Sequence, residues 1–446
     1  MIQANQNRRR FLKASASLGL FSIIPGHVRG VASSDKLNIA GIGIGGRGFS
    51  NLKAMASENI VALCDVDPGY ASRCFNHFPK AKRWTDFRKM LEKQKDIDAV
   101  MIGTPDHTHA VISITAMQAD KHVYCEKPLT HDIYEARQVA KVASEMKVCT
   151  QTGIQRHSDD GPRMICEWIW AGIIGDVHEV DAWCSLSYYP AGHASWSPKW
   201  LTRPAETPTL PNGLNWDLWI GPAPMRPYHS AYHPGSWRAW WDFGSGMMGD
   251  RGVHTLDSVM WALNLVHPES VESNSLGLNP ETHPIASIVT FRFPERGKMP
   301  PLKLTWYDGL TPPRPPELED GRRFGGDEGG ILFKGTKGSI MCNYVGDGAR
   351  IIPEKKMREL QPLLPAPSLP RIQAGHQQNW IRACKGLDTP SSDFDYGARL
   401  TEICILGNIA RRANKLIRWD PENMRVSNLE EPNQWVRKTY REGWEM

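Results

Sequence analysis

From Lys36 onward, short apolar runs alternate with longer segments whose apolar residues recur every three or four positions. Residues 37–42, 60–64 and 99–103 have the length and composition of strands, and a helix-period stretch follows the first of them after Gly48. The alternation continues with a helix over 110–119, a strand over 122–125, a helix over 133–146 and a strand over 148–152. Within 133–146 the positions Ala136, Val139, Ala140, Ala143 and Met146 carry the helical period. Strands alternating with helices predict a parallel sheet.

After about Gln155 this regularity stops. Residues 177–187, 287–293, 302–307 and 331–333 read as strands of a mostly antiparallel sheet, and the proline-rich stretches 311–316 and 362–370 read as surface loops. A later helix over 398–416 is expected to pack back on the core. The expected architecture is α/β: an N-terminal Rossmann domain with a parallel sheet over 35–155, and a C-terminal α+β domain with a mostly antiparallel open sheet over 156–446.

Composition narrows the partners. With 446 residues and 41% hydrophobic content, the chain can build two or three cores. Its net charge of +5, from 53 basic and 48 acidic residues, is too small and too scattered to imply nucleic-acid binding. The nine cysteines show no paired C-x-x-C spacing, and one would be left over from any set of pairs, so they read as structural thiols. His107 with His109, and His229 with His233, have spacings a metal could use, but no third ligand motif accompanies either pair and no metal is expected.

Residues 1–32 have the three regions of an export signal: a basic start, an apolar stretch over 14–24 and small residues near Gly30. The apolar part is too short for a stable membrane span, which needs about 20 residues. Arg8, Arg9, Phe11, Leu12 and Lys13 resemble the twin-arginine signal, with Asn7 where Ser or Thr is usual. That resemblance implies export of the folded protein, to the periplasm or beyond, with its cofactor already bound.

The chemistry begins at the first turn. Gly41-Ile42-Gly43-Ile44-Gly45-Gly46-Arg47-Gly48 fits G-x-G-x-x-G in two registers, and the Gly43/Gly45/Gly48 register leaves 37–42 an unbroken strand. Such glycines permit a tight turn, a close backbone approach to a pyrophosphate and close packing of helix on strand, while the helix N-terminus offers free N–H groups. Asp65 ends the second strand, where a carboxylate accepts hydrogen bonds from the adenosine ribose and repels a 2′-phosphate. NAD is therefore favoured; Arg47 and Arg73 keep NADP as the weaker alternative. A second glycine-rich stretch, 325–338, lacks the Lys-Ser/Thr of a phosphate loop and reads as a hairpin turn.

Thr104-Pro105-Asp106-His107-Thr108-His109, and Glu126-Lys127-Pro128 after a strand, resemble two signatures of the glucose-fructose oxidoreductase / inositol dehydrogenase / MocA superfamily. The stretches Asn215-Trp216-Asp217-Leu218-Trp219-Ile220-Gly221-Pro222-Ala223-Pro224 and Asp250-Arg251-Gly252-Val253-His254 look like motifs of an exported branch. The resemblance implies that Gly43, Gly45, Gly46, Arg47, Gly48, Asp65, Thr104, Pro105, His109, Glu126 and Lys127 hold the cofactor, and that Lys127, Asp250 and His254 carry the catalysis. Arg251 stands where this branch often has an aromatic residue, which leaves the substrate pocket open.

If 250–254 is helical, Asp250 and His254 lie one turn apart on one face. Alcohol oxidation needs a base for the hydroxyl proton; His254 suits that role, Asp250 would orient it, and Lys127 would polarise the oxygen or relay the proton. Eight of the seventeen tryptophans fall between Trp183 and Trp241, together with Tyr188, Tyr189, Tyr228 and Tyr232. Most are expected in the core, with two or three touching a sugar or a partner subunit. The leading expectation is an NAD-dependent oxidoreductase of a sugar, sugar derivative or cyclitol, working as a homo-oligomer of open order. The alternatives are an NAD-dependent glycosidase or lyase acting by transient oxidation, elimination and re-reduction, and a non-catalytic sugar binder.

Overall fold

Strand β4 (Ala99–Ile102) shows why the N-terminal half forms a buried sheet. Ala99 and Met101 face one apolar cluster and Val100 and Ile102 the other, and all four side chains are inaccessible to solvent. A strand that is apolar on both faces needs a layer on each side. The computed structural model describes residues 36–186 and 202–446. The expected export signal and the aromatic residues Tyr188, Tyr189, Trp196 and Trp200 lie outside the described residues.

β1 (Asn38–Ile42), β2 (Asn59–Cys64), β3 (Lys82–Trp84), β4, β5 (His122–Glu126) and β6 (Thr150–Gly153) form one sheet in the order β3-β2-β1-β4-β5-β6. Every pair in it is parallel. This order reverses direction between β1 and β4, and in such sheets the crevice beyond the carboxyl ends of those two strands receives the ligand. The predicted helix over 133–146 is present as Ile133–Met146, opened by a capping box in which Asp132 accepts from the Glu135 N–H.

Among the described residues, the second sheet has nine strands. β7 (Val177–Cys184), β8 (Ser270–Leu276), β9 (Ala286–Phe293), β10 (Leu302–Asp308), β11 (Gly329–Gly335), β12 (Gly338–Asn343), β13 (Arg350–Ile352), β14 (Ile417–Asp420) and β15 (Arg425–Val426) run in the order β13-β12-β11-β7-β10-β9-β8-β14-β15. Only the central β7–β10 pair is parallel. The glycine-rich stretch 325–338 supplies β11 and its turn, with Gly335 paired to Gly338 across Thr336 and Lys337, as the hairpin reading requires. All nine cysteines are unpaired thiols, eight of them buried.

The chain does not remain in the second half after residue 155. Trp380, Ile381 and Cys384, on helix His376–Cys384, complete one core of the first sheet, and Phe394, Ala398 and Trp444 enter the other. Helix Phe394–Ala413 then continues into the large core of the second sheet, and Arg137 clamps it by two hydrogen bonds to Glu402, 2.9 and 2.8 Å. The cleft between the halves is therefore walled by elements packed on both. Among the described residues, no helix is long and apolar enough to cross a membrane.

Candidate cofactor and active site

A cavity of about 680 Å³ runs from the turn after β1, past the ends of β2 and β4, to the helix carrying His254. Gly43, Gly45, Gly46 and Arg47 line its first wall. Gly43 has φ +72°, and a Cβ there would lie 2.6 Å from the Thr104 main-chain nitrogen. A Cβ on Gly48 would come within 2.0 Å of the Gly43 oxygen. Gly48 does not reach the cavity; it lets helix Arg47–Ala54 sit against the turn, so that the free N–H groups of its first residues face the crevice. Gly43 and Gly48 are the glycines of this turn whose added Cβ would meet backbone, whereas Gly41, Gly45 and Gly46 would meet the side chains of Leu52 and Tyr70.

Asp65 lines the cavity just past β2. Its carboxylate accepts from the main-chain N–H groups of Ile44 (2.8 Å) and Asp67 (2.9 Å). Burial pushes its pKa up to about 6, against the pull of those N–H groups. The two cations that kept NADP open are engaged elsewhere: Arg47 donates to Glu126 at 3.2 Å, and Arg73 lies 5.7 Å from the Phe49 ring centre. The glycine cradle, the helix terminus and the ribose-side carboxylate together fit NAD.

The Thr104–His109 motif divides between the two roles. Thr104 and Pro105 line the cavity. His109, expected at the cofactor, does not reach it: the ring is buried, with Nε2 2.9 Å from the Thr104 oxygen and Nδ1 2.8 Å from the Pro128 oxygen. Burial disfavours a charge there, yet Cys125, Asp106 and the Pro128 oxygen outweigh it and raise the pKa to about 10. His109 thus staples the loop after β4 to the loop carrying Lys127. His107 faces the oxygens of Trp219 (3.0 Å) and Phe243 (3.2 Å), and Asp106 accepts from the Ser245 N–H at 2.9 Å, so the same motif holds the second half of the chain. His233 pairs with Asp67 at 2.7 Å, and the His229 ring accepts from the Ala231 N–H.

Glu126 ends β5 and lines the cavity, and three protein donors converge on its Oε1: Asn51 at 2.7 Å, Gln155 at 2.7 Å and Arg47. Its work is to fix the strand end from which Lys127 projects. Lys127 Nζ donates to the Asp250 main-chain oxygen at 2.9 Å and to the Asp250 carboxylate. Asp250 was expected to orient His254; it instead positions Lys127. It lies in a π-helical turn, Met248–Gly252, ahead of helix Val253–Leu263, so a spacing of four no longer stacks the two side chains as in a regular helix.

His254 faces the same cavity, and its Nδ1 is buried without a hydrogen-bond partner. Burial, and then the nearby Lys127 cation, hold its pKa well below 6.5, so the ring is neutral and able to accept a proton. Burial alone would raise the Asp250 pKa, but Lys127 and Arg238 hold it at about 2. Of the clustered aromatic residues, Trp219 and Trp237 reach the cavity, whereas Trp183 and Trp240 are core. Sequence reasoning missed Tyr70, whose ring lies on the glycine turn, and Arg238 and Tyr344 near Asp250.

Residues 36–154 match the family described as an oxidoreductase family with an NAD-binding Rossmann fold, and residues 189–293 match its C-terminal alpha/beta domain. The chain belongs to the Gfo/Idh/MocA oxidoreductase family. Within it, the chain is 37% identical over 132 residues to a glycosyl hydrolase family 109 protein of Stenotrophomonas maltophilia, covering 27% of this chain and 29% of that protein. It is 29% identical over 140 residues to the inositol 2-dehydrogenase of Salmonella paratyphi B, covering 30% and 41%. The matched stretch thus spans under half the length of these curated relatives. The WlbA dehydrogenase of Chromobacterium violaceum, solved with NADH and UDP-GlcNAcA, shares the fold with a TM-score of 0.60 and 19% identity, over 87% of this chain and 97% of that one. The Rossmann half of this family member, residues 36–154, is an NAD-binding domain.

Proposed function

We propose that this protein oxidises a secondary alcohol of a sugar, sugar derivative or cyclitol, with Lys127 and His254 acting on the same hydroxyl. The observation that carries this reading is the meeting of a cation and a neutral imidazole at the end of a dinucleotide cleft. Asp250 holds the Lys127 ammonium at the cavity wall, where it stabilises the negative charge that develops on the substrate oxygen. The His254 ring, which lines the same cavity, accepts the hydroxyl proton. Bound NAD supplies the acceptor for the hydride leaving carbon. Trp219 and Trp237 line the same cavity and supply apolar surface toward the C–H groups of a ring.

The name of the glycosyl hydrolase relative keeps a second reading in view, in which the oxidised sugar undergoes elimination and is then reduced again. The intact Glu126-Lys127-Pro128 segment favours the dehydrogenase. A panel of pyranoses, 3-keto sugars and cyclitols, followed by cofactor absorbance at fixed protein concentration, tests the choice. Net NADH formation supports the dehydrogenase; release of an aglycone without net NADH supports the second reading. We further propose, from Arg8, Arg9 and the residues after them, that the protein is exported by the twin-arginine route with NAD already bound.

A further inference from the structure

Thr85, Asp86 and Phe87 follow β3, the strand on the far side of β2 from the glycine turn, and all three line the cavity. The Asp65 N–H donates to the Trp84 oxygen at 3.1 Å, so the ribose-side acid and this loop are neighbours. In the sheet order β3-β2-β1-β4-β5-β6, Lys127 leaves the end of β5 while Phe87 lies beyond β3. The cavity thus has a substrate end and, past Asp65, an opposite end that a dinucleotide reaches with its base. Phe87 and Ile112 line that end from the first half of the chain. Leu218 and Trp444 line it too, although both lie outside the NAD-binding domain of residues 36–154. Leu218 also borders a neighbouring hollow with Asp65, Thr85 and Asp86, and the Trp444 ring centre lies 6.3 Å from that of Phe87.

Trp444 is held in this position by the residues just before it. The Arg441 N–H donates to the Pro222 oxygen at 3.1 Å, its Nε donates to the Gly221 oxygen at 2.9 Å, and its guanidinium pairs with the Asp217 carboxylate. Lys438 donates to the His107 oxygen at 3.2 Å and pairs with Glu135. The stretch 438–444 therefore ties helix Trp216–Ile220 to the Rossmann half. The indole fills the space between them: the Arg88 guanidinium lies 4.5 Å from its ring centre, and a Cβ on Gly221 would lie 3.6 Å from its Cζ3. Asp86 is engaged by the Arg88 N–H at 2.9 Å and by the Arg88 side chain at 3.1 Å, so the wall that remains is chiefly apolar. Apolar surface facing a cavity gains when an apolar ligand covers it, and a nucleobase has two uncharged aromatic faces.

We propose that the adenine of bound NAD is received against Phe87, Leu218 and Trp444, so that the stretch 438–444 and helix Trp216–Ile220 complete a cofactor site begun in the Rossmann half. The test measures binding of NAD and of ADP-ribose, which carries the adenine and lacks the nicotinamide, by calorimetry on nucleotide-free protein. Trp444→Leu keeps an apolar side chain and removes the aromatic ring. It should weaken both ligands alike, by at least about fivefold, the lower bound for loss of an aromatic partner to a base. Trp444→Phe should recover most of that loss. In the natural protein, ADP-ribose should slow hydrogen exchange at the Arg441 and Trp444 N–H groups more than at those of β12, because a ligand that touches the stretch opposes its local opening. Melting temperature without nucleotide shows that each variant is folded, and the exchange measurement decides the matter without any variant.

A folded Trp444→Leu protein that binds both ligands within twofold of the natural one would overturn the proposal. So would a loss confined to NAD, which would put Trp444 at the nicotinamide, or a phenylalanine variant no better than the leucine one. Exchange at Arg441 and Trp444 that ADP-ribose leaves unchanged, or slows no more than in β12, would overturn it as well. No sugar enters these measurements, so their outcome is independent of which alcohol the protein oxidises.

Discussion

Lys127 Nζ lies between two oxygens of Asp250, the main-chain oxygen at 2.9 Å and the side-chain carboxylate. The acid therefore belongs to the lysine. The Asp250 carboxylate still favours a protonated His254, but burial and then the Lys127 ammonium outweigh it. A base in this setting is weak but always available, which suits a step whose proton must leave the site easily.

A pH profile follows from that arrangement. The His254 pKa is held below 6.5, so the neutral form persists as pH falls, and the acidic limb of kcat/KM at saturating NAD should lie below pH 6.5. Removing the cation in Lys127→Met takes away one lowering influence, so the limb should move upward even as the rate drops. An acidic limb at or above 6.5 in the natural protein, or a downward move in the variant, would contradict the assignment.

Asp65→Ala should weaken NAD binding by about 1.5–3 kcal/mol, the usual worth of hydrogen bonds to a charged acceptor. With a pKa of about 6, Asp65 is a carboxylate at neutral pH and gains a proton as pH falls through that value. NAD affinity should accordingly be level above pH 7 and decline below 6. Fluorescence titration of both proteins across that range is the check; a variant that binds NAD within twofold of the natural protein would remove Asp65 from the site.

Gly48→Ala tests the glycine register. The added Cβ would press on the Gly43 oxygen, which is backbone and has no room to yield. Overpacking of this kind costs about 1–3 kcal/mol of stability, and the turn that faces the cofactor should be displaced with it. Thermal melting and NAD titration should both suffer, whereas Gly172→Ala, where a Cβ meets nothing within 4 Å, should leave NAD binding unchanged.

The parts of the fold that depend on neighbouring residues were legible in the sequence. Helix Ile133–Met146 appears at its expected bounds because its period and its cap are local. Pairings across long separations were not legible: the parallel β7–β10 contact joins residues more than a hundred apart, and nothing in either strand announces its partner. The site divides the same way. Glycine spacing and a strand-end acid pointed to the cofactor cleft, but the π-turn that carries Asp250 toward Lys127 has no signature in the spacing of 250 and 254. Asp106, His107 and His109 carry chemistry-bearing side chains used as clamps, a role that only the packing reveals.

Arg8→Lys with Arg9→Lys should block export and leave the mature domain folded, because the signal is read by a receptor. Cell fractionation of the double variant is the check, and undiminished export would end the twin-arginine reading. The exported natural protein should also carry NAD or NADH in near one-to-one amounts, released by acid and quantified by chromatography.

The central claim is that Lys127 and His254 act together on a hydroxyl at an NAD-binding site. Its most direct test is single-turnover absorbance of nucleotide-loaded protein mixed with its best sugar, for the natural protein, Lys127→Ala and His254→Ala. The account predicts reduced nicotinamide appearing in one exponential phase, slowed by about 10²–10⁴-fold in each variant while NAD remains bound. Near-normal rates in both variants, or sugar conversion with no transient reduced nicotinamide, would contradict it.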